Sequence, residues 1–383
     1  MSSQILRAAS AFPAVILTGP RRAGKTTLLR RLFPKAAYVL LEDPDAVARF
    51  RADPRQFIDE LRPPVILDEI QNVPEIFAYL RARVDAHPAR KGQWLLTGSQ
   101  EAPLMRGVTE SMAGRAAVFT LLPLSLQESA KVSLLRGGFP EALARPSTAT
   151  IWFRSYVQTY LERDVRSITA VRDLATFRRF LALLATRCGQ LLNKADLAAS
   201  LGVSAPTIAQ WLGVLELTGQ IMLIPPYFEN LGKRLVKSPR LHFVDCGLAC
   251  HLLGIETTTQ LERSPFLGPL FEGFVASEIL KAQLAKGRPR ALYHFRDQQG
   301  LEVDLVVPMA ERKIALIEVK AARSVRPEDA APLSRLAQAM TGNDVTGLVV
   351  HRPAAADPDS RALFPGVRAI PLSMLPRSLG LQG

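Results

Sequence analysis

A chain of 383 residues is too long for one ordinary hydrophobic core, so two or three domains are expected. With 48% hydrophobic and 22% charged residues it is a globular composition, and its three cysteines, Cys188, Cys246 and Cys250, exclude a disulfide framework. The net charge of +13 favours a polyanionic partner, nucleic acid before a membrane surface. No apolar run approaches the ~18 residues needed to cross a bilayer, and Met1-Ser2-Ser3-Gln4-Ile5 does not open a secretory signal, so a cytoplasmic protein without a membrane partner is expected. Cys246 and Cys250 stand four apart with His242 and His251 nearby; this allows a metal site, but neighbours such as Val244 and Leu248 favour plain burial.

The chain's first third reads as alternating strands and helices. Ala14-Val15-Ile16-Leu17-Thr18 is a short buried strand, and it runs into Gly19-Pro20-Arg21-Arg22-Ala23-Gly24-Lys25-Thr26. A leucine-spaced helix follows from Thr27, so the G-x-x-x-x-G-K-T pattern has the strand before and helix after that a P-loop requires. Gly19 and Gly24 let backbone N–H groups close on phosphate oxygens, and the helix N-terminus adds its positive dipole end. Lys25 would reach the β- and γ-phosphates of ATP and Thr26 would bind Mg²⁺, with Thr27 counted among the nucleotide-binding residues. Pro63-Pro64 blocks a helix ahead of Val65-Ile66-Leu67-Asp68-Glu69, a buried strand ending in two carboxylates. Asp68 would hold the magnesium shell and Glu69 polarise the attacking water; the rival reading makes Asp68 a helix cap.

Two more strands, Tyr38–Leu41 and Gln93–Leu96, end in Glu42-Asp43 and Thr97-Gly98-Ser99-Gln100, at the sheet edge where ligands bind. Thr97 or Ser99 is a candidate γ-phosphate sensor, unless the segment is simply a turn around Gly98. Before a fifth strand, Ala116–Thr120, Arg115 is either an arginine finger toward a neighbouring subunit or an ordinary solvated residue. Gly19 to Thr26, Leu67-Asp68-Glu69-Ile70-Gln71, Leu96-Thr97-Gly98-Ser99 and Ala113-Gly114-Arg115 together resemble bacterial and archaeal AAA-type ATPases that carry a C-terminal domain of unknown function. The resemblance covers nearly the whole chain and implies an AAA+ core, usually a homo-oligomer when active. Pro20-Arg21-Arg22-Ala23 is bulkier and more basic than a glycine-rich loop.

Beyond Ser125 the strand pattern gives way to helical periodicity over Ile151–Val165 and Leu174–Cys188. Arg163 and Asp164 could couple nucleotide state to the next domain or merely end a helix. Asn193–Ser204 reads as a helix closing in a glycine turn, and Ala205–Glu216 as a second helix capped by Ser204. With the strand Ile221–Ile224 this predicts a winged helix-turn-helix. Ala205, Thr207 and Gln210 would face DNA, and only Thr207 and Gln210 could bond a base edge; a protein contact is the alternative.

The last third predicts a helix over Leu267–Lys281 and strands over Ala291–Arg296, Leu301–Val307 and Ile314–Lys320. Glu272 and Glu278 lie ~240° apart on the helix and cannot share a site. Glu302 with Asp304, and Glu318 with Lys320, each share a strand face. Asp304, Glu318 and the Val319 carbonyl can hold Mg²⁺, and Lys320 can hold or deprotonate a water for attack on a phosphodiester; the alternative is a surface ion-pair ladder. Glu272, then Asp304, then Glu318-Val319-Lys320 resembles the restriction-endonuclease-like superfamily, which implies that Glu272 is a further metal ligand. Phe243–Leu248 also matches a family segment, for which an Asp245-capped turn is sufficient.

The expected architecture is therefore α/β: a P-loop AAA+ core with a parallel sheet over 1–125, a helical connector over 126–190, a winged helix over 191–228, and a restriction-endonuclease-like domain over 229–383. The expected function is ATP-dependent action on DNA: binding, remodelling or Mg²⁺-dependent cleavage, of branched or broken DNA. The rival is an ATP-controlled switch acting on a protein partner, with a catalytically silent nuclease-like domain.

Overall fold

The computed structural model of the chain describes residues 1–99, 110–161, 174–227, 237–352 and 360–382. Gln100, Arg163 and Asp164 lie outside these. The chain divides into two compact units, the first being Met1–Pro123 with the short returns Leu217–Gly219 and Leu284–Arg288, the second the remainder.

In the first unit, β1 (Ala14–Thr18), β2 (Ala37–Leu40), β3 (Val65–Asp68), β4 (Trp94–Thr97) and β5 (Ala116–Thr120) form one sheet in the order β2-β3-β4-β1-β5. Every pairing is parallel. Successive residues face opposite sides. Ala14, Ile16, Val65, Leu67, Trp94 and Leu96 join Phe50, Phe57 and Phe77 in one apolar cluster, beneath helices Pro44–Ala52, Pro54–Glu60 and Ile76–Ala86. Val15, Leu17, Ile66 and Leu95 join Ile5 and Leu29 in another, beneath helices Ser2–Ala11 and Lys25–Leu32. Cover on both faces explains why these strands read as continuous apolar runs rather than alternating ones. Asp43, placed at the ligand edge, accepts the Asp45 N–H at 3.0 Å and caps helix Pro44–Ala52, as Asp53 caps Pro54–Glu60.

In the second unit, helices Ala149–Tyr156, Leu174–Thr186, Lys194–Leu201, Ala205–Leu217 and Cys246–Leu252 share an aromatic-rich core built on Phe139, Phe153, Tyr156, Phe177, Phe180 and Trp211. Lys194–Leu201 and Ala205–Leu217 meet at 109°. Asn193 caps the first through the Ala195 and Asp196 N–H groups, Gly202 turns the chain at φ +68°, and Ser204 accepts the Thr207 N–H. An antiparallel pair follows, β6 (Ile221–Ile224) with β7 (Arg240–Phe243), so the partner of β6 comes from beyond residue 228. No single helix among the described residues is long and apolar enough to cross a membrane.

Helix Leu267–Ala285 then leads into β8 (Tyr293–Arg296), β9 (Glu302–Ala310), β10 (Lys313–Lys320), β11 (Asp344–His351), β12 (Arg361–Phe364) and β13 (Val367–Pro371). Their sheet has the order β12-β13-β11-β10-β9-β8. β9 and β10 are an antiparallel hairpin, whereas β10 and β11 are parallel and are joined by the crossover helix Ala331–Ala339. Val303, Val306, Ile314, Leu316, Leu333, Leu336 and Val349 form the core between that helix and the sheet.

Candidate nucleotide site and a buried carboxylate cluster

The first unit's site is built where β1 ends. Gly19 has φ +135°, and a Cβ there would sit 2.0 Å from the Leu121 carbonyl oxygen, so backbone proximity and conformation both demand glycine. Gly24, at φ +99°, turns the loop into helix Lys25–Leu32. Lys25 is buried, and its Nζ donates to the carbonyls of Gly19 at 3.1 Å and Pro20 at 2.9 Å, across the mouth of the loop. Thr27 follows on the same first helical turn.

Asp68 closes the site from the end of β3. The Thr26 hydroxyl donates to it at 2.9 Å, the Tyr38 hydroxyl at 2.8 Å, and Thr97 Oγ1 also bonds Asp68 Oδ1. These bonds exclude the helix-cap reading, since the next α-helix begins only at Ile76. Burial and the neighbouring Asp68 carboxylate push the Tyr38 phenol well above its ordinary range, so it stays a donor. Glu69 adopts a left-handed φ of +57°. That conformation turns its carboxylate to the Gln71 amide, with Arg21 at 3.6 Å. Gln71 also accepts the Ser99 N–H at 3.2 Å, and so links the ends of β3 and β4. A hydroxyl and a carboxylate converging beside a glycine loop and a helix N-terminus fit Mg²⁺ and a polyphosphate, because every donor is a hard oxygen.

Arg115 is placed differently. It precedes Ala116, which pairs with Ala14 at the start of β1, whereas the P-loop leaves the far end of that strand. Five residues of strand separate them, roughly 16 Å. The guanidinium bonds Asp85 at 2.6 and 2.9 Å. Arg115 therefore sits away from its own chain's P-loop, and reaching a neighbour's nucleotide would mean leaving Asp85.

In the second unit the structure brings together Glu272, Glu302, Asp304, Glu318 and Lys320, around an unanticipated residue. Arg240, only 3% exposed, donates from NH1 to Glu272 Oε1 at 2.6 Å and to Asp304 Oδ1 at 3.2 Å, and from NH2 to Glu302. Asp304 Oδ2 accepts the Val319 N–H at 2.9 Å, and Lys320 Nζ donates to Glu318 at 2.9 Å. His242, fully buried two residues along β7, has Nε2 3.3 Å from Glu272 Oε1 and Nδ1 3.9 Å from Cys188 Sγ. The site expected to gather around Mg²⁺ thus gathers around a guanidinium.

The electrostatics follow. Burial, then the Glu272 and Glu318 charges, hold the Asp304 carboxyl well above the usual range despite Arg240. Burial likewise raises Glu318. Burial would also raise Glu272, but His242 and Arg240 outweigh it and hold it low. For Lys320, burial is outweighed by Glu318, which fixes it as a cation; that is the wrong direction for the base suggested by its sequence position. Glu278 is elsewhere, paired with Lys281 at 3.1 Å and accepting the Leu126 N–H at 2.8 Å. Cys246 and Cys250 are buried thiols facing the Leu270 and Leu134 carbonyls, and Asp245 accepts the Gly138 N–H and, as the cap of its helix, the Leu248 N–H.

Three family models match the chain: a AAA domain over residues 11–130, the domain of unknown function DUF8612 over 127–259, and the domain of unknown function DUF4143 over 267–375. Uncharacterized proteins of Mycobacterium tuberculosis and Mycobacterium bovis are each 37% identical to it over 318 residues, spanning 81% of this chain and 71% of theirs. The chain belongs to their family. It joins a AAA-type P-loop ATPase domain to two domains of unknown function. Among solved structures, a Walker-type ATPase of Pyrococcus abyssi aligns with 15% identity and a TM-score of 0.45 over 66% of this chain and 94% of that one. A RuvB variant of Thermotoga maritima aligns with 17% identity and a TM-score of 0.28 over 58% and 87%.

Arg240 escaped the sequence reading, His242 entered it only as a neighbour of Cys246 and Cys250, and Tyr38 escaped it. The first two had a signal: two basic residues alternate within the apolar run Arg240-Leu241-His242-Phe243, and so share one strand face. A strand with two cations on one face needs carboxylates opposite. Tyr38 had none, being one more residue of an apolar strand.

Proposed function

We propose that the chain binds and hydrolyses Mg²⁺-ATP at its P-loop and uses the nucleotide state to drive action on DNA through its second unit, as a homo-oligomer. The observation that carries the first half is the convergence of Thr26, Thr97 and Asp68 at the end of the glycine loop. Backbone N–H groups from Gly19 to Gly24 would cradle the phosphates, with Lys25 swinging from its two carbonyls to the β- and γ-oxygens. Thr26 and Asp68 would hold Mg²⁺, which when bound neutralises charge developing on the transferred phosphoryl group. Glu69, oriented by Gln71 and Arg21, would polarise the attacking water, and Thr97 would report the γ-phosphate through Asp68.

DNA is favoured as partner by the net charge of +13 and by the two helices at 109° followed by an antiparallel strand pair, which support a winged helix. The six-stranded sheet with helix Leu267–Ala285 supports a restriction-endonuclease-like domain. Two observations favour the rival, an ATP-controlled switch directed at a protein. The exposed face of helix Ala205–Leu217 is Ala205, Pro206, Gln210 and Gly213, without a Lys or Arg, and Arg240 stands among the carboxylates of the nuclease-like site. Both weigh against sequence-specific reading and cutting, and leave binding or remodelling as the favoured action.

The deciding experiment measures ATP hydrolysis by wild type and Lys25→Ala with no DNA and with linear, single-stranded and branched DNA, alongside DNA affinity as a function of salt. Hydrolysis stimulated by DNA, with affinity falling steeply as salt rises, supports the proposal. Hydrolysis indifferent to every DNA, with no salt-dependent binding, overturns the DNA half and leaves the switch.

A further inference from the structure

We propose that Arg240 is a built-in cation that takes the place of a divalent metal ion in the second unit's carboxylate cluster, so that the cluster is closed to metal while Arg240 is in position. Glu272 Oε1 and Asp304 Oδ1 come from a helix and a strand far apart in sequence, and both point at one nitrogen, NH1 of Arg240, at 2.6 and 3.2 Å. Two carboxylate oxygens converging on a single point is the arrangement a Mg²⁺ ion with ligands at ~2.1 Å requires, and the guanidinium nitrogen stands at that point. Further carboxylate oxygens of the cluster are committed too. Glu302 takes NH2, Asp304 Oδ2 takes the Val319 N–H, and Glu318 takes Lys320. His242 Nε2 also stands 3.3 Å from the same Glu272 oxygen.

Arg240 is not a surface arginine that folded inward by accident. It opens β7, whose pairing with β6 fixes it opposite Ile224, and it is 3% exposed with its Nε atom buried and making no hydrogen bond among the described residues. A guanidinium that leaves one N–H unsatisfied in the interior is held by its carboxylates. The geometry accounts for a cluster that has the acids of a metal site yet is gathered on a guanidinium.

The test is a titration of the full-length, nucleotide-free chain with Mn²⁺, read by the paramagnetic resonance of the free ion, in an Asp68→Asn background that silences the P-loop. With Arg240 intact, no Mn²⁺ binding that Asp304→Asn removes is expected up to about 1 mM, the weak end of protein cation sites. Arg240→Met combined with Glu302→Gln removes one positive and one negative charge together, and leaves Glu272, Asp304 and Glu318. That pair is expected to bind one Mn²⁺ at least about tenfold more tightly, and to lose it on adding Asp304→Asn. Asp304-dependent Mn²⁺ binding with Arg240 intact overturns the inference on its own, whether or not the double variant folds. So does a folded double variant that gains no binding. Neither ATP nor DNA enters the measurement, so its outcome is separate from that of the DNA reading.

Discussion

Raising the pH from about 6.5 to 9 should weaken the second unit by discharging His242. Burial alone would lower this imidazole, but Cys188 and Glu272 outweigh it and push its pKa up from 6.5 to about 9. A pKa raised on folding means that the stabilisation is fully present below the unfolded value, 6.5, and is lost as pH rises through about 9. The gap between those values corresponds to roughly 3 kcal/mol at the acid end. For a unit of this size that is a shift in melting temperature of roughly 6–12 °C. The assay is scanning calorimetry of wild type and His242→Gln from pH 6 to 10. The wild type should melt higher at pH 6, and most of its advantage should vanish by pH 9 to 10. An advantage that is constant across this range, or grows with pH, would show that His242 is neutral in the fold and that Glu272 is balanced by Arg240 alone.

Three further outcomes follow from the first unit. Gly19→Ala forces a Cβ to 2.0 Å from the Leu121 carbonyl at a φ of +135°, so nucleotide binding measured with a fluorescent ATP analogue should be lost while the rest of the sheet folds. Glu69→Gln should still bind ATP but hydrolyse it some 10²–10⁴-fold more slowly, if the carboxylate polarises water. Arg115→Ala should leave the hydrolysis rate of dilute, dissociated protein unchanged, because Arg115 sits at the opposite end of the sheet on Asp85. A fall confined to the assembled protein would restore its role toward a neighbour's nucleotide.

The first unit was legible in the sequence almost residue by residue. Its strands are short, apolar on both faces and bounded by Gly, Pro or acidic residues, and the site residues sit immediately after them, so local pattern and site coincide. Asp43 proves to be a helix cap, a role that a carboxylate after a strand can fill and that only the position of Pro44–Ala52 reveals. The second unit was legible in its parts but not in its logic. Periodicity placed Glu302 with Asp304 and Glu318 with Lys320 correctly, because two-residue alternation is a local property. That Arg240, more than 60 residues before Asp304, enters the same cluster depends on β7 pairing with β6, a contact that no local pattern predicts. The strands beyond Lys320 followed the same rule: β11 is paired in parallel through a crossover helix, and β12 and β13 close the sheet's far edge.

The most direct test of the account is phosphate release from ATP by the purified full-length chain, with and without Mg²⁺, beside Lys25→Ala. Mg²⁺-dependent release that disappears in Lys25→Ala is the predicted result. Release that persists undiminished in Lys25→Ala, or none from the wild type under any condition, would contradict the reading of Gly19 to Thr26 and Asp68 as a working ATPase site.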